Sequence, residues 1–518
     1  MEKRVAVIGA GISGLIACKH ILAKGFIPVV FELRSGIGGV WSKTIKSTKL
    51  QSPKSYYQFS DFPWPDSVKT DYPTQQQVLE YVESYAQHFG LLKHIKFNTR
   101  VVSLDFEGSS DEEMQAWSLW GGIGEAFSNK GKWNIMVEDT TTLLTEIYQV
   151  NFVVVCSGMF SDVPNIPQFP PNKGPSAFHG KVIHSKDYSA MDNETAAKFV
   201  KDRRVAVVGF HKSALDIAME CSAANGVEYP CTVIYKKEHW HTIDHYAYGI
   251  HLQSILMNRF SELVFHKPGE GFLASILATL LYPAKMAVSR IIESDIKRKI
   301  PMAKYGMVPK HSFLDELFTC SAGVLPEQFY DRVEEGSIKL KKSQTLSFCE
   351  EGLILDSDED ALVNADLVIF ATGFRGDIKL KETFASKTFQ DLMVGSSTGS
   401  VPLYRGCIHP KIPQLAVVGF LQSVGAMYTT EMQIRWVTEL LDGKFKPPSI
   451  RDMEEETTKW DEFMKKHVGN FYTRSCFMLL HIFYNDVLCK DMGWNPNRKK
   501  GLFADIFQSY GPTDYATP

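Results

Sequence analysis

Apolar residues fall into short continuous runs alternating with stripes at helical spacing, and this alternation lays out a fold before any motif is read. Arg4 to Ile8 is a short apolar run with β-branched content, suited to a strand buried in a parallel sheet. Leu15 to Ala23 has the spacing of an amphipathic helix, and Ile27 to Phe31 is a second continuous run. Thr74 to Phe89 is predicted helical and Ile95 to Val102 a strand. Lys132 to Glu138 and Glu146 to Val155 read as a hairpin and a strand ending in Cys156, Ser157 and Gly158. The same order returns later: strand Arg203 to Val208, helix Ala214 to Ala224, strand Cys231 to Tyr235, hairpin Ser347 to Leu355, and strand Asp366 to Phe370 ending in ATGF (371–374). Such an internal repeat implies two copies of one α/β unit.

Three stretches stand outside the repeat. Residues 108–131, rich in Gly, Ser and acid, predict an exposed insertion, and Pro164 to Pro175 a linker. Asp244 to Glu327 is helix-like and apolar, and interrupts the second unit as a candidate roof over a substrate pocket, with most of its stripes expected as core between helices. After ATGF, β-like Pro402 to Gly419 and the amphipathic helix Thr430 to Leu441 return the chain to the first unit. The aromatic tail Trp460 to Phe507 is expected to pack over it. The predicted organisation is therefore a first domain at 1–170, an inserted second domain at 171–373 with its helical insertion at about 244–327, and a return with tail at 374–518.

Each first strand leads into a glycine turn. Gly9, Ala10, Gly11, Ile12, Ser13 and Gly14 have GxGxxG spacing between strand and helix. Gly9 allows the tight turn, Gly11 the approach of a pyrophosphate and Gly14 the packing of helix on strand. The helix N-terminus then faces phosphate with unpaired N–H groups. Glu32, at the end of the second strand, is placed to accept from the ribose hydroxyls of an adenosine. GIGGVW follows, so Gly38 and Gly39 can lie against phosphate while Val40 and Trp41 cover a ring, and Val101 is a candidate seat for adenine. The second turn, Gly209, Phe210, His211, Lys212, Ser213 and Ala214, has His211 and Ala214 in place of two glycines. Its following strand ends in Lys236 and Lys237. Glu32 would repel a ribose 2′-phosphate and the lysines would attract one, so the first site predicts FAD and the second NADPH. The fold class is thus α/β with two dinucleotide-binding, Rossmann-like domains, the NADPH domain inserted in the FAD domain.

Composition adds limits. The 518 residues carry a net charge of −3, which gives no electrostatic reason to expect nucleic acid. Nine scattered cysteines without CxxC predict free thiols in a reducing, cytoplasmic setting, no metal site and no dithiol redox centre. No signal peptide is read ahead of the first strand. The most apolar window, Phe272 to Met286, contains Pro283 and Lys285 and reads as a buried or interface helix rather than a span, leaving room for weak membrane association.

Between the two turns, Phe178 to Tyr188 fits FxGxxxHxxxY, and this chain resembles the flavin-containing monooxygenases in that fingerprint, in GAGISG (9–14), FSDFPWP (59–65) and ATGF (371–374). KLQSPKSYYQFSDFPWP and GFHKSALDIA resemble the plant branch that includes pipecolate N-hydroxylase and alkaloid N-oxygenases. Closure of the fingerprint with Tyr188, where related Baeyer–Villiger enzymes have Trp, points to N- or S-oxygenation. The resemblance implies that NADPH reduces FAD and that O2 is taken up as a C4a-hydroperoxide. One oxygen atom then passes to a nucleophilic nitrogen of a small molecule, an amine, amino acid or alkaloid, with thioether sulfur as the alternative. Many members have Asn near the flavin where this chain has Gln51, the candidate catalytic residue, with Ser52 and Lys54 beside it. His179 and His184 read as linker or NADP-proximal residues. Two readings of other classes remain at this point: a flavin reductase without oxygen insertion, and a scaffold without activity.

Overall fold

The computed structural model describes residues 3–127, 130–160, 162–356, 358–394, 401–468 and 476–517. Arg4–Ile8 (β1), Ile12–Ala23 (α1) and Ile27–Phe31 (β2) form the predicted crossover, with Ala6 opposite Val29 in parallel register. Val5, Ala6 and Val7 are wholly buried, as a strand covered on both faces must be. Gln75–His88 (α2) begins at Thr74, whose hydroxyl accepts from the Gln77 N–H while the Gln77 side chain accepts from the Thr74 N–H. The single strand predicted over 95–102 is two: Ile95–Lys96 (β3) and Thr99–Glu107 (β4). Asn98, at φ +51°, turns the chain between them, a conformation Asn tolerates. β4, Lys132–Asp139 (β5) and Thr145–Val150 (β6) form an antiparallel meander, and Phe152–Val155 (β7) rejoins β1.

The second unit repeats this plan. Lys181–His184 (β8), Val205–Val208 (β9), Lys212–Asn225 (α3), Cys231–Tyr235 (β10) and Ile338–Lys342 (β11) precede a second meander of Leu346–Cys349 (β12), Gly352–Leu355 (β13) and Asp358–Asn364 (β14). Leu367–Phe370 (β15) then pairs with β9. Leu415–Val417 (β16) pairs with β7 and Ala426–Leu441 (α4) follows. Strand order is β16-β7-β1-β2-β3 in one sheet and β8-β15-β9-β10-β11 in the other. Because β16 completes the first sheet after the whole second sheet has been threaded, one unit is inserted in the other.

Several expectations are corrected by packing. Residues 108–131 are not a free insertion: Trp120 is wholly buried and its indole N–H donates to the Ile412 carbonyl at 2.9 Å. The return helix has the expected amphipathic spacing but no solvent face, because α4 lies against α1 and the helix His481–Asp491 and its polar residues are buried as well. Phe272–Leu280 and Tyr282–Lys299 are two helices bent by 46°, and among the described residues no single helix is long and apolar enough to cross a membrane. The first of them is neither buried nor core, since Phe272 and Leu273 are each 80% exposed. The all-thiol reading also fails: Cys320, after the helix Phe313–Phe318, is bonded to Cys476, joining residues 156 apart in the chain. The other seven cysteines are free.

A buried charge cluster ties the FSDF loop to α1 and α4. Glu431 accepts from the Ser60 N–H (3.0 Å), the Ser60 hydroxyl (2.7 Å) and Arg435 (3.0 Å), with His20 Nε2 at 3.3 Å. Burial pushes the Glu431 carboxyl up, but the hydrogen bond with His20 and the Arg435 charge outweigh it and hold it far below the usual range. Its folded pKa is depressed, so the stabilisation is complete above an unfolded value of about 4.3 and drains away as pH falls below it. Glu431→Gln is expected to cost about 3 kcal/mol at pH 7, because Arg435 is left without its counter-charge. Urea midpoints at pH 7 and pH 3 check this: the difference between variant and wild type should shrink at the lower pH.

Candidate functional site

Both turns are built alike. Gly9 stands at φ +102°, and a Cβ there would meet the Cys156 carbonyl oxygen at 2.8 Å. Gly209 stands at φ +135°, where a Cβ would meet the Ala371 carbonyl oxygen at 2.4 Å. In each unit, then, the first glycine lets the turn pass under the end of the neighbouring strand. The helices that follow have as N-cap residues Gly11 for α1 and His211 for α3, neither with a side-chain cap. Their first N–H groups therefore stay available to phosphate oxygens. This is the structural test that a dinucleotide phosphate must pass at each site, and both sites pass it.

Glu32 ends β2 in a buried position, accepting from the Ala10 N–H (2.7 Å) and the Arg34 N–H (3.0 Å). Gly38 donates from its backbone to the Ala10 carbonyl at 3.2 Å, which brings the GIGG turn onto the first finger. Gly39 Cα would lie 3.4 Å from a Cβ on Gly11, so this approach needs both glycines. Ile12 and Ser13 open α1 behind that turn. Val40 and Trp41 line the main cavity, and the Trp41 indole N–H donates to the Tyr57 hydroxyl at 2.6 Å.

That cavity, of about 2070 Å³, runs between the two units. A single drug-sized ligand occupies roughly 300–1,000 Å³, so there is room for more than one molecule. Gly209, Phe210, His211, Lys212, Ser213, Lys236 and Lys237 line it from the second unit, as does Arg375 after the ATGF turn. Lys212 is ion-paired with Asp216 at 2.5 Å, and Asp216 also accepts from the Thr48 hydroxyl at 2.5 Å, linking α3 to the first unit. Burial lowers the pKa of Lys237, with Glu316 pulling the other way. Ala214 is buried under Gly209, with its Cβ 3.5 Å from where a Gly209 Cβ would be, so α3 sits back far enough to accept a methyl where α1 has glycine.

The helical insertion closes the far side. Leu252, Gln253, Leu256, Met257, Phe313 and Leu317 line the cavity there, a wall of uncharged side chains. It is pinned to the loop after the GIGG turn by Lys49–Glu327 (2.8 Å), by Tyr72 with His245 (2.8 Å), and by the Val324 N–H donating to Gln51 Oε1 (3.3 Å). Gln51 and Ser52 thus stand in the cavity where loop and roof meet. Lys54 does not join them, because its ammonium is turned to the Val68 carbonyl. Val101 lies on β4, paired with Val137 and half-buried against the core beneath the first sheet; the same strand meets Glu32 where the Thr99 N–H donates to its carbonyl at 2.8 Å. Tyr188 of the fingerprint is buried and donates to Glu220 at 2.6 Å, while its neighbours Ser185, Lys186 and Asp187 reach the cavity. His184 packs edge-on against Phe374, and burial lowers its pKa.

Residues that sequence reasoning did not single out are His239, His311, Glu316 and Arg375. The first three come together only through the fold of the insertion, and no spacing announces them. Arg375 had a signal in hand, since it directly follows ATGF.

The second finger lines the cavity, and the GIGGVW turn packed on the first finger reaches it from the other unit; two uncapped glycine fingers so placed are the frame of a two-dinucleotide oxidoreductase. The chain belongs to the flavin-containing monooxygenase family: the model described as flavin-binding monooxygenase-like matches residues 2–506. It is 38% identical over 518 residues to probable flavin-containing monooxygenase 1 of Arabidopsis thaliana, covering 99% of this chain and 96% of the relative. Dimethylaniline monooxygenase (N-oxide-forming) 2 of Oryctolagus cuniculus is 27% identical over 534 residues, covering 98% of this chain and 85% of that one. Among solved structures, an oxidized steroid monooxygenase bound to NADP superposes with TM-score 0.63 at 18% identity, covering 95% of this chain and 97% of its own. S-allyl-L-cysteine S-oxygenase from Allium sativum gives TM-score 0.58 at 16% identity, covering 95% and 89%. The protein is accordingly an FAD-dependent, NADPH-using monooxygenase that acts on a small molecule with O2.

Proposed function

We propose that this monooxygenase oxygenates a neutral nitrogen lone pair on a small molecule, with FAD on the first finger and NADPH on the second. Gly9 to Gly14, Glu32 and the GIGGVW turn hold FAD in this reading; residues 209–214 with Lys236 and Lys237 hold NADPH. The observation that carries the substrate reading is the split lining of the cavity. Lys212, Lys236, Lys237 and Arg375 line it around the second finger, and the helical insertion contributes the uncharged Leu252, Gln253, Leu256, Met257, Phe313 and Leu317. An amine is a nucleophile only when unprotonated, and an uncharged wall favours that form over the ammonium because it offers the charge poor solvation.

Bound flavin supplies the reduction and the activation of oxygen. The chain's own residues bind, orient and keep water out. Gln51, held from the roof by the Val324 N–H, presents an amide whose Nε2 is a hydrogen-bond donor to the flavin edge. Trp41 and Tyr57, joined by their hydrogen bond, close the cavity wall beside it. The roof contacts from Lys49, Gln51 and Tyr72 limit entry of water, which would divert the oxygen to hydrogen peroxide.

The test is NADPH consumption by the FAD-loaded enzyme against tertiary amines, amino acids and thioethers, with product masses read alongside. Tertiary amines should give products heavier by one oxygen. Oxygenated thioethers alone would transfer the assignment to sulfur, and hydrogen peroxide with every compound would overturn it.

A further inference from the structure

The second finger is unusual where it should be most constrained, at the position that ordinarily carries a glycine so that backbone can approach the pyrophosphate. Here it carries His211, whose ring opens on the cavity. Among the described residues no protein group hydrogen-bonds its ring nitrogens. It caps no N–H of α3 with its side chain either, so those amides also remain free toward the cavity.

Behind His211 lies a chain of polar groups from the insertion. The His211 and His239 ring centroids are 4.4 Å apart. His239 Nδ1 is 2.6 Å from Glu316 Oε1, and His311 Nε2 bonds the other carboxylate oxygen, Oε2. The Trp240 N–H also donates to Oε2, at 3.3 Å, and the Trp240 indole N–H donates to the His311 carbonyl at 2.8 Å. Glu316 is almost wholly buried, so this chain is fixed rather than solvated. Among the described residues no group of three metal-ligating side chains is arranged to hold an ion, which removes a metal as the reason for the cluster.

Resting on the reading of this finger as the NADPH site, we propose that His211 is a phosphate ligand of the nucleotide, taking up a proton from solvent as the nucleotide binds. The His239–Glu316–His311 chain acts as its positioning support. Glycine at this place brings amides to the phosphate; histidine brings a ring that must be charged to serve the same end. The groups facing that ring are His239, His241 and Lys237 from the segment after β10, Glu316 from the helix Phe313–Phe318, and Lys212 beside it on α3. Four of these facing groups are imidazole or ammonium groups and only Glu316 is an acid, which disfavours an imidazolium without a further anion present. The ring is open to the cavity, and the walls around it, followed by His239, lower the His211 pKa. The pyrophosphate bridge next to the ring reverses that balance, because its two negative charges then face it.

The sign follows from linkage. A group whose pKa rises on binding takes up a proton, and affinity then falls as pH rises between the free and bound values. The nucleotide's own 2′-phosphate works in the opposite sense, since Lys236 and Lys237 favour its dianion and binding would release a proton near pH 6.5. Net uptake therefore belongs to the protein.

The experiment is calorimetric titration of the yellow, FAD-loaded enzyme with NADP+ at pH 6.5 in two buffers of different ionisation enthalpy. Wild type should take up a substantial fraction of one proton per NADP+ bound. Two variants, His211→Asn and His211→Gly, should bind NADP+ without that uptake, and their dissociation constants should lose the upward drift with pH between 6 and 8. The flavin spectrum shows that each variant is folded around the first site. His311→Gln should keep the uptake but weaken NADP+ binding several-fold, as a support and not a ligand would. Uptake that persists in both His211 variants, or wild type that binds with none, overturns the proposal. A yellow enzyme that does not bind NADP+ at all would instead overturn the assignment of the second finger.

Discussion

Gly14→Ala is expected to yield a protein that purifies without flavin and stays colourless when FAD is added. A Cβ at this position would stand 1.8 Å from the Gly9 carbonyl oxygen and 3.5 Å from Val7 Cγ1. The first of these is no contact that side-chain rotation can relieve, because both partners are backbone. Either α1 slides away from β1 or the Gly9 turn opens, and each displaces the N–H groups that would face the pyrophosphate. Overpacking of this kind costs about 1–3 kcal/mol or more where the core is tight. The effect on FAD is expected to exceed the effect on stability, since α1 is otherwise held by α4. Flavin content per protein from absorbance, beside a thermal melt, separates the two. A yellow Gly14→Ala enzyme with wild-type flavin content would mean that FAD does not use this finger. Ala214, at the matching position of the second unit, marks the contrast: there the helix already stands back, so Ala214→Gly should change NADPH binding little.

Replacing Lys236 and Lys237 together with alanine should raise KM for NADPH tenfold or more, leaving KM for NADH within about twofold. Hydrogen bonds to charged groups contribute about 1.5–3 kcal/mol each, and tenfold corresponds to about 1.4 kcal/mol. The two side chains line the cavity just past the end of β10, beside α3, where a ribose 2′-phosphate would lie. Lys237 is the partly buried one, and its lowered pKa makes its charge the more sensitive to alkaline pH. Selectivity for NADPH over NADH should therefore decline earlier on the alkaline side than an exposed lysine would allow. Steady-state kinetics with both nucleotides from pH 7 to 10 measure this. An unchanged preference in the double variant would remove the lysines as readers of the 2′-phosphate.

The two fingers were legible because each is a local device. Three spacings and the residue at the end of the next strand suffice when the chemistry lies within one crossover, and the repeat supplied a second copy against which the first could be read. The class of enzyme followed from the same stretches, since a fingerprint such as Phe178 to Tyr188 needs no distant partner to be recognised. What was misread was non-local. Lys54 shared a loop with Gln51, yet its ammonium finds the Val68 carbonyl instead of the cavity. Cys320 and Cys476 are brought together across 156 residues only by the fold of roof and tail.

By itself the amino-acid sequence determined the two α/β units, the insertion of one in the other, the glycine turns with Glu32 and the lysine pair, and through them FAD and NADPH. Alternating runs and turn chemistry encode such features within a few dozen residues. The tertiary structure alone decided how the roof meets the loop at Gln51, which face of Phe272–Leu280 is left uncovered, and that His239, Glu316 and His311 stand in line behind His211. Those arrangements depend on contacts between segments far apart in the chain, and no local pattern of hydrophobic and polar residues carries that information.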